Sequence, residues 1–157
     1  MLDNCRTAKE RWGGVSDLID RWLKERQELI IRLCELTDWE EFGEVEAIVK
    51  RLTEFCQALL DYVSAGHFEI YEQLLEEARA INENSTELVN RLYPRIQLTT
   101  EAALDFNDRF DATPEDAEEL KQLMPELSAL AEKLEERFEM EDMLIEMLYQ
   151  AQSPQMA

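Results

Sequence analysis

Ser16-Asp17-Leu18-Ile19-Asp20-Arg21-Trp22-Leu23-Lys24-Glu25-Arg26-Gln27-Glu28-Leu29-Ile30-Ile31-Arg32-Leu33 decides the fold. Its apolar residues Leu18, Ile19, Trp22, Leu23, Leu29, Ile30 and Leu33 recur at helical spacing, with charged residues between them. Ser16 suits the cap of this helix. Gly13-Gly14 just before it reads as a break, setting off a short helical segment over 3–12. The long helix is expected to stop near Thr37-Asp38.

The same pattern continues down the chain. A second helix is expected from about Glu40 to Ser64, with Val45, Ile48, Val49, Leu52, Cys56, Leu59 and Val63 on one stripe. Gly66 marks a stop or bend, and a third helix from about His67 to Ile81 carries Ile70, Leu74, Ala78 and Ile81. Asn84 with Glu87, or Ser85, is expected to cap a fourth, which holds Leu88, Leu92, Ile96, Ala103, Phe106 and Phe110. Thr113-Pro114-Glu115-Asp116 is a start signal for a fifth: a cap, a proline in the first turn, then acids on the positive end of the dipole. That helix holds Leu120, Leu123, Leu127, Leu130, Leu134, Phe138, Ile145 and Leu148. Pro94 and Pro125 fall inside helical patterns. Each removes a backbone donor and crowds the turn before it, so a kink is expected near each, not a reversal, because the periodicity resumes beyond. With short connections and no alternating strand pattern, the expected fold is all-α: a single-domain antiparallel bundle of about five helices over 1–157. The tail 151–157 is expected to be disordered.

Composition narrows the function. The chain has 157 residues, 36 acidic against 16 basic, for a formal charge of −20. A hydrophobic content of 45% supports a core despite that charge. No apolar run approaches the roughly 20 residues of a membrane span. The opening Met-Leu-Asp-Asn-Cys-Arg has no apolar stretch behind it, so no signal peptide is expected. Phosphate neutralisation needs a positive surface, which argues against direct nucleic-acid binding. Cys5, Cys34 and Cys56 are few and widely spaced, and read as reduced thiols of a cytoplasmic protein. The charge is uneven. Seven bases and six acids precede Glu35, so that stretch is about +1 and the remainder about −21. The acidic body is read either as a solvated face or as a surface that meets a basic partner, such as a DNA-binding domain held off its DNA.

Catalytic chemistry is nearly absent from the pattern. His67 is the single histidine, too few for a carboxylate di-iron site, and the cysteines lack the close spacing of zinc ligands. There is no phosphate loop and no nucleophile elbow. Glutamates such as Glu115, Glu118, Glu119, Glu132, Glu135, Glu136 and Glu139 read as a solvated face, since acid–base work needs carboxylates in a pocket. No enzyme, metal or cofactor is expected.

One stretch is unusual. In Asp61-Tyr62-Val63-Ser64-Ala65-Gly66-His67-Phe68-Glu69-Ile70-Tyr71-Glu72, apolar and aromatic residues occur nearly all the way round a helix. Asp61, Ser64, Ala65 and Phe68 fall at i, i+3, i+4 and i+7, offset from the Leu59/Val63 stripe. Either the segment packs on two sides, or a bend at Gly66 turns Phe68 inward, or the four residues form a small-residue platform with an aromatic knob and a carboxylate that suits a partner helix.

Three stretches resemble the Rsd/AlgQ family of anti-sigma factors. They are 17–28 (Asp-Leu-Ile-Asp-Arg-Trp-Leu-Lys-Glu-Arg-Gln-Glu), 55–72 around Ser64-Ala65-Gly66-His67-Phe68, and Arg137-Phe138-Glu139-Met140-Glu141-Asp142-Met143-Leu144-Ile145. The opening, Cys5-Arg6 through Glu10-Arg11-Trp12-Gly13-Gly14-Val15, looks closest to the AlgQ branch of pseudomonads. The resemblance implies a cytoplasmic, monomeric helical bundle that binds the primary sigma factor of RNA polymerase one-to-one. It would hold sigma's C-terminal, promoter-reading domain (region 4), keeping it from core polymerase and DNA. It also implies that Asp61, Ser64 and Phe68 contact sigma, with Ala65 beside them and Leu18, Arg21, Trp22 and Glu25 contributed by the first long helix. The alternative is an acidic helical chaperone or adaptor that binds an amphipathic helix of another protein.

Overall fold

The computed structural model describes residues 2–37, 44–110 and 117–152, with side chains over 17–37, 44–64, 71–110, 121–148 and at 150. These residues form five helices: α1 (Leu2–Thr37), α2 (Val45–Val63), α3 (Ala65–Ile81), α4 (Glu83–Phe110) and α5 (Ala117–Gln152). They make the all-α bundle that the periodicity implied. Helices consecutive in sequence pack against one another, α5 meets α1 to close the ring, and α2 also packs on α4. Ion pairs and hydrogen bonds fix the directions. Arg32 meets Glu54 while Trp22 meets Tyr62, so α1 and α2 are antiparallel. Arg109 meets Glu126 while Arg137 meets Thr99 and Thr100, so α4 and α5 are antiparallel too.

The core draws one stripe from each helix. Leu18, Ile19, Trp22, Leu29 and Leu36 come from α1, and Ile48, Leu52, Phe55, Leu59 and Tyr62 from α2. Phe55 meets Phe106 of α4 edge-on at 6.0 Å between ring centres, and Trp22 meets Tyr71 of α3 at 5.9 Å. Edge-to-face contacts of this kind contribute roughly 0.5–1.5 kcal/mol beyond the buried area.

Several boundaries differ from the sequence expectation. α1 runs unbroken through Gly13-Gly14, because glycine weakens a helix but keeps the N–H that the backbone ladder needs. The bend between α2 and α3 sits at Ser64 instead of Gly66. Ser64 leaves helical geometry (φ −104, ψ −124), and both its N–H and its hydroxyl donate to the Leu60 carbonyl. α2 ends there, and Gly66 falls inside α3. Asn82, and neither Asn84 nor Ser85, caps α4: its side-chain oxygen accepts the Ser85 N–H at 2.8 Å. The start signal at 113–116 lies outside the described residues. α5 reaches Gln152, while 153–157 of the expected tail also lie outside.

Both internal prolines are carried without reversal of the chain. α4 continues through Pro94 and α5 through Pro125. Asn90 and Lys121, whose carbonyls lose a donor, are solvent-exposed, so water can take those bonds.

Candidate functional site

A groove of about 570 Å³ runs between α1 and α2. Glu25, Glu28 and Arg32 line it from α1, and Thr53, Glu54, Gln57, Ala58, Asp61 and Tyr62 from α2. Four carboxylates against one guanidinium make it acidic. Arg32 is already engaged, meeting Glu54 at 3.1 Å and Glu28 at 3.4 Å.

Helical spacing places these groups. Glu25 and Glu28 lie on the flank of α1 next to its buried stripe, Glu25 one turn from both Trp22 and Leu29. Asp61 is exposed on the last turn of α2 and accepts a hydrogen bond from Gln57, four residues back, at 3.1 Å. Glu25 is half-buried, and its Oε2 accepts no hydrogen bond among the described residues. Burial lifts the Glu25 carboxyl above its ordinary value; Arg21 opposes that shift and the charge of Asp61 adds to it. A cation entering beside Glu25 and Asp61 would find two carboxylates from different helices, one of them poorly solvated.

The residues singled out by sequence separate into two groups. Asp61 and Glu25 meet in the groove, Arg21 acts on Glu25 electrostatically, and half-buried Ser64 follows one turn after Asp61. Leu18 and Trp22 instead belong to the core, at 4% and 0% exposure, and present no surface to a partner. Their positions on the wheel face α2 and α3, and Trp22 donates its indole N–H to Tyr62 Oη at 3.1 Å. Ala65 and Phe68 lie in the first turn of α3, where side chains fall outside the described residues. Because the chain bends at Ser64, Asp61 and Phe68 stand on different helices, and a single straight wheel does not relate them.

Sequence reasoning missed the groups beneath the groove. Arg137 and Glu141, four residues apart on α5, are 0% exposed and paired at 3.1 Å. Arg26 meets Glu141 at 3.2 Å and Asp142 at 2.5 Å, and stacks over the Phe138 ring. Burial alone would lower the Arg26 pKa, but the bond to Asp142, the contact with Tyr62 and the charge of Glu141 outweigh it and hold the guanidinium protonated. The available sign was a repeated apolar stripe on α5 interrupted by an i, i+4 Arg/Glu pair at two core positions.

Among the described residues no helix is long and apolar enough to cross a membrane, and no three His, Cys, Asp or Glu side chains group to hold a metal ion. Residues 1–149 match the family model described as regulator of the RNA polymerase sigma(70) subunit, Rsd/AlgQ. The chain is 34% identical over 151 residues to the "Regulator of sigma D" of Pectobacterium carotovorum subsp. carotovorum (strain PC1), covering 95% of this chain and 99% of that protein. It is 35% identical over 147 residues to the protein of that name in Enterobacter sp. (strain 638), covering 92% and 88%. Against that of Yersinia pseudotuberculosis serotype O:1b (strain IP 31758) the figure is 31% over 148 residues, covering 93% and 88%. An acidic groove on a five-helix bundle and a match across nearly its whole length together make this chain a member of the Rsd/AlgQ family, the regulators of the sigma(70) subunit of RNA polymerase.

Proposed function

We propose that this chain is an anti-sigma factor that captures the C-terminal, promoter-reading domain of the primary sigma subunit, region 4, in the cytoplasm and without catalysis. The observation that carries the reading is the convergence of Glu25 and Asp61 from two helices in one acidic groove of a Rsd/AlgQ-family chain. A domain that reads DNA presents arginines and lysines, and those are the groups that an acidic groove accepts. The contact set is Asp61 and Glu25 on the groove, with Arg21 one turn before Glu25 on α1, continued by Ser64, Ala65 and Phe68 at the turn into α3. Occupying these cations would remove sigma from promoter phosphates and from the polymerase by steric and electrostatic competition.

Calorimetric titration with the C-terminal domain of the cognate primary sigma factor tests this. Saturable one-to-one binding is the expected result. Absence of heat and of any complex, with both partners folded, would reject it in favour of a helical adaptor for other amphipathic segments.

A further inference from the structure

Arg137 and Glu141 take two core positions on α5. A buried ion pair is a weak device for stability, because desolvating both charges commonly cancels their attraction and apolar residues of similar volume often serve as well. Its connections show another use. Glu141 Oε1 accepts from Tyr62 Oη of α2 at 2.6 Å and from Arg26 Nη2 of α1 at 3.2 Å. Oε2 accepts from Arg137 Nε at 3.1 Å, with Tyr71 Oη of α3 at 3.5 Å. Arg137 Nη1 reaches the Thr99 and Thr100 hydroxyls of α4 at 3.0 and 2.7 Å. One carboxylate thus joins all five helices, directly or through its arginine.

The groove between α1 and α2 has two ends, held differently. Away from Asp61 the helices are joined by part-exposed pairs, Arg32 with Glu54 and Arg51 with Glu35, which water and salt weaken. At the Asp61 end the join is buried: Trp22 of α1 donates to the Tyr62 hydroxyl of α2, and that hydroxyl donates to Glu141. Tyr62 follows Asp61 directly, and Arg26 follows Glu25 directly. The bonds that converge on Glu141 therefore fix the backbone next to both groove carboxylates.

We infer that Glu141 is a positioning residue for the groove: through Tyr62 and Arg26 it sets the separation of Asp61 and Glu25, and so the fit of the partner's cations. This rests on the groove being the sigma-binding site.

The test compares three variants with the wild-type chain, each titrated with the sigma C-terminal domain and melted thermally. Glu141→Gln leaves the groove surface untouched, and Tyr62→Phe removes one hydroxyl. Leu130→Ala, in the α4–α5 seam, serves as a control for general loss of stability. The expected result is a tenfold or greater rise in Kd for the first two at temperatures where all variants are folded, and wild-type affinity for Leu130→Ala. Wild-type affinity in Glu141→Gln, or an equal loss in Leu130→Ala, overturns the inference and leaves the groove reading standing. Failure of both Glu141→Gln and Tyr62→Phe to fold also overturns it, since the bonds would then serve the fold itself. A wild-type chain that does not bind sigma overturns the groove reading and this inference with it.

Discussion

Glu25 of α1 and Asp61 of α2 line one groove from opposite helices, and the charge of Asp61 adds to burial in raising the Glu25 carboxyl. Two carboxylates held near each other with one of them poorly solvated are a standing strain on the free protein. A partner cation would relieve it. On the proposed function, the arrangement trades stability of the unbound chain for attraction toward a basic surface.

Glu25→Gln separates the two effects. A carboxyl whose folded pKa lies above its unfolded one binds protons more readily in the folded state, so its ionisation weakens the fold as pH rises through the folded value. The variant should melt higher than wild type at pH 7, and the difference should vanish below about pH 4, where both states are protonated. Melting curves across that range check the sign. The same variant should bind the sigma domain more weakly.

Asp61→Ala should act on binding and hardly on folding. Asp61 is exposed, and the bond that it accepts from Gln57 lies on the helix surface. An affinity loss of about tenfold, or about 1.4 kcal/mol, is expected. The melting temperature should stay close to that of wild type. Unfolding of this variant, with normal affinity in the folded fraction, would make Asp61 structural.

Trp22→Ala should do the reverse. The indole is wholly buried and bonded to Tyr62, so its removal should cost about 3–5 kcal/mol through the cavity and the lost hydrogen bond. Chemical denaturation measures that loss directly. A stable Trp22→Ala chain with impaired partner binding would return Trp22 to the interface.

Salt provides a fourth check. Raising ionic strength from about 0.1 M to about 1 M shortens the screening length from about 10 Å to about 3 Å. Attraction between a −20 chain and a basic domain should weaken accordingly, with most of the loss in the association rate. Stopped-flow kinetics at several salt concentrations would show it, and salt-independent association would count against the acidic groove.

The helices were legible because burial imposes a period on apolar residues, and α2 and α4 carry that period cleanly. Boundaries were less so. Gly66 looked like the natural bend, yet Ser64 is the residue that leaves helical geometry, while glycine at 66 is carried inside α3. Leu23 and Ile30 directly follow Trp22 and Leu29, about 100° round the helix from that stripe, and remain over a third exposed. Of the residues named for the site, Asp61 and Glu25 lie on the groove, whereas the core claims Leu18 and Trp22. The burial of Glu141 could not be read at all. Its partners lie up to 115 residues away along the chain, and only the folded arrangement brings them together.

The junction at Ser64 has a consequence for how this chain can vary. A single residue separates α2 from α3, so one added or deleted residue there would rotate α3 by about 100° about its own axis. Leu74 and Ala78, both fully buried, would turn toward solvent, and Tyr71 would leave Glu141. Insertions and deletions should therefore be absent from Ser64, and from Asn82, the single residue between α3 and α4.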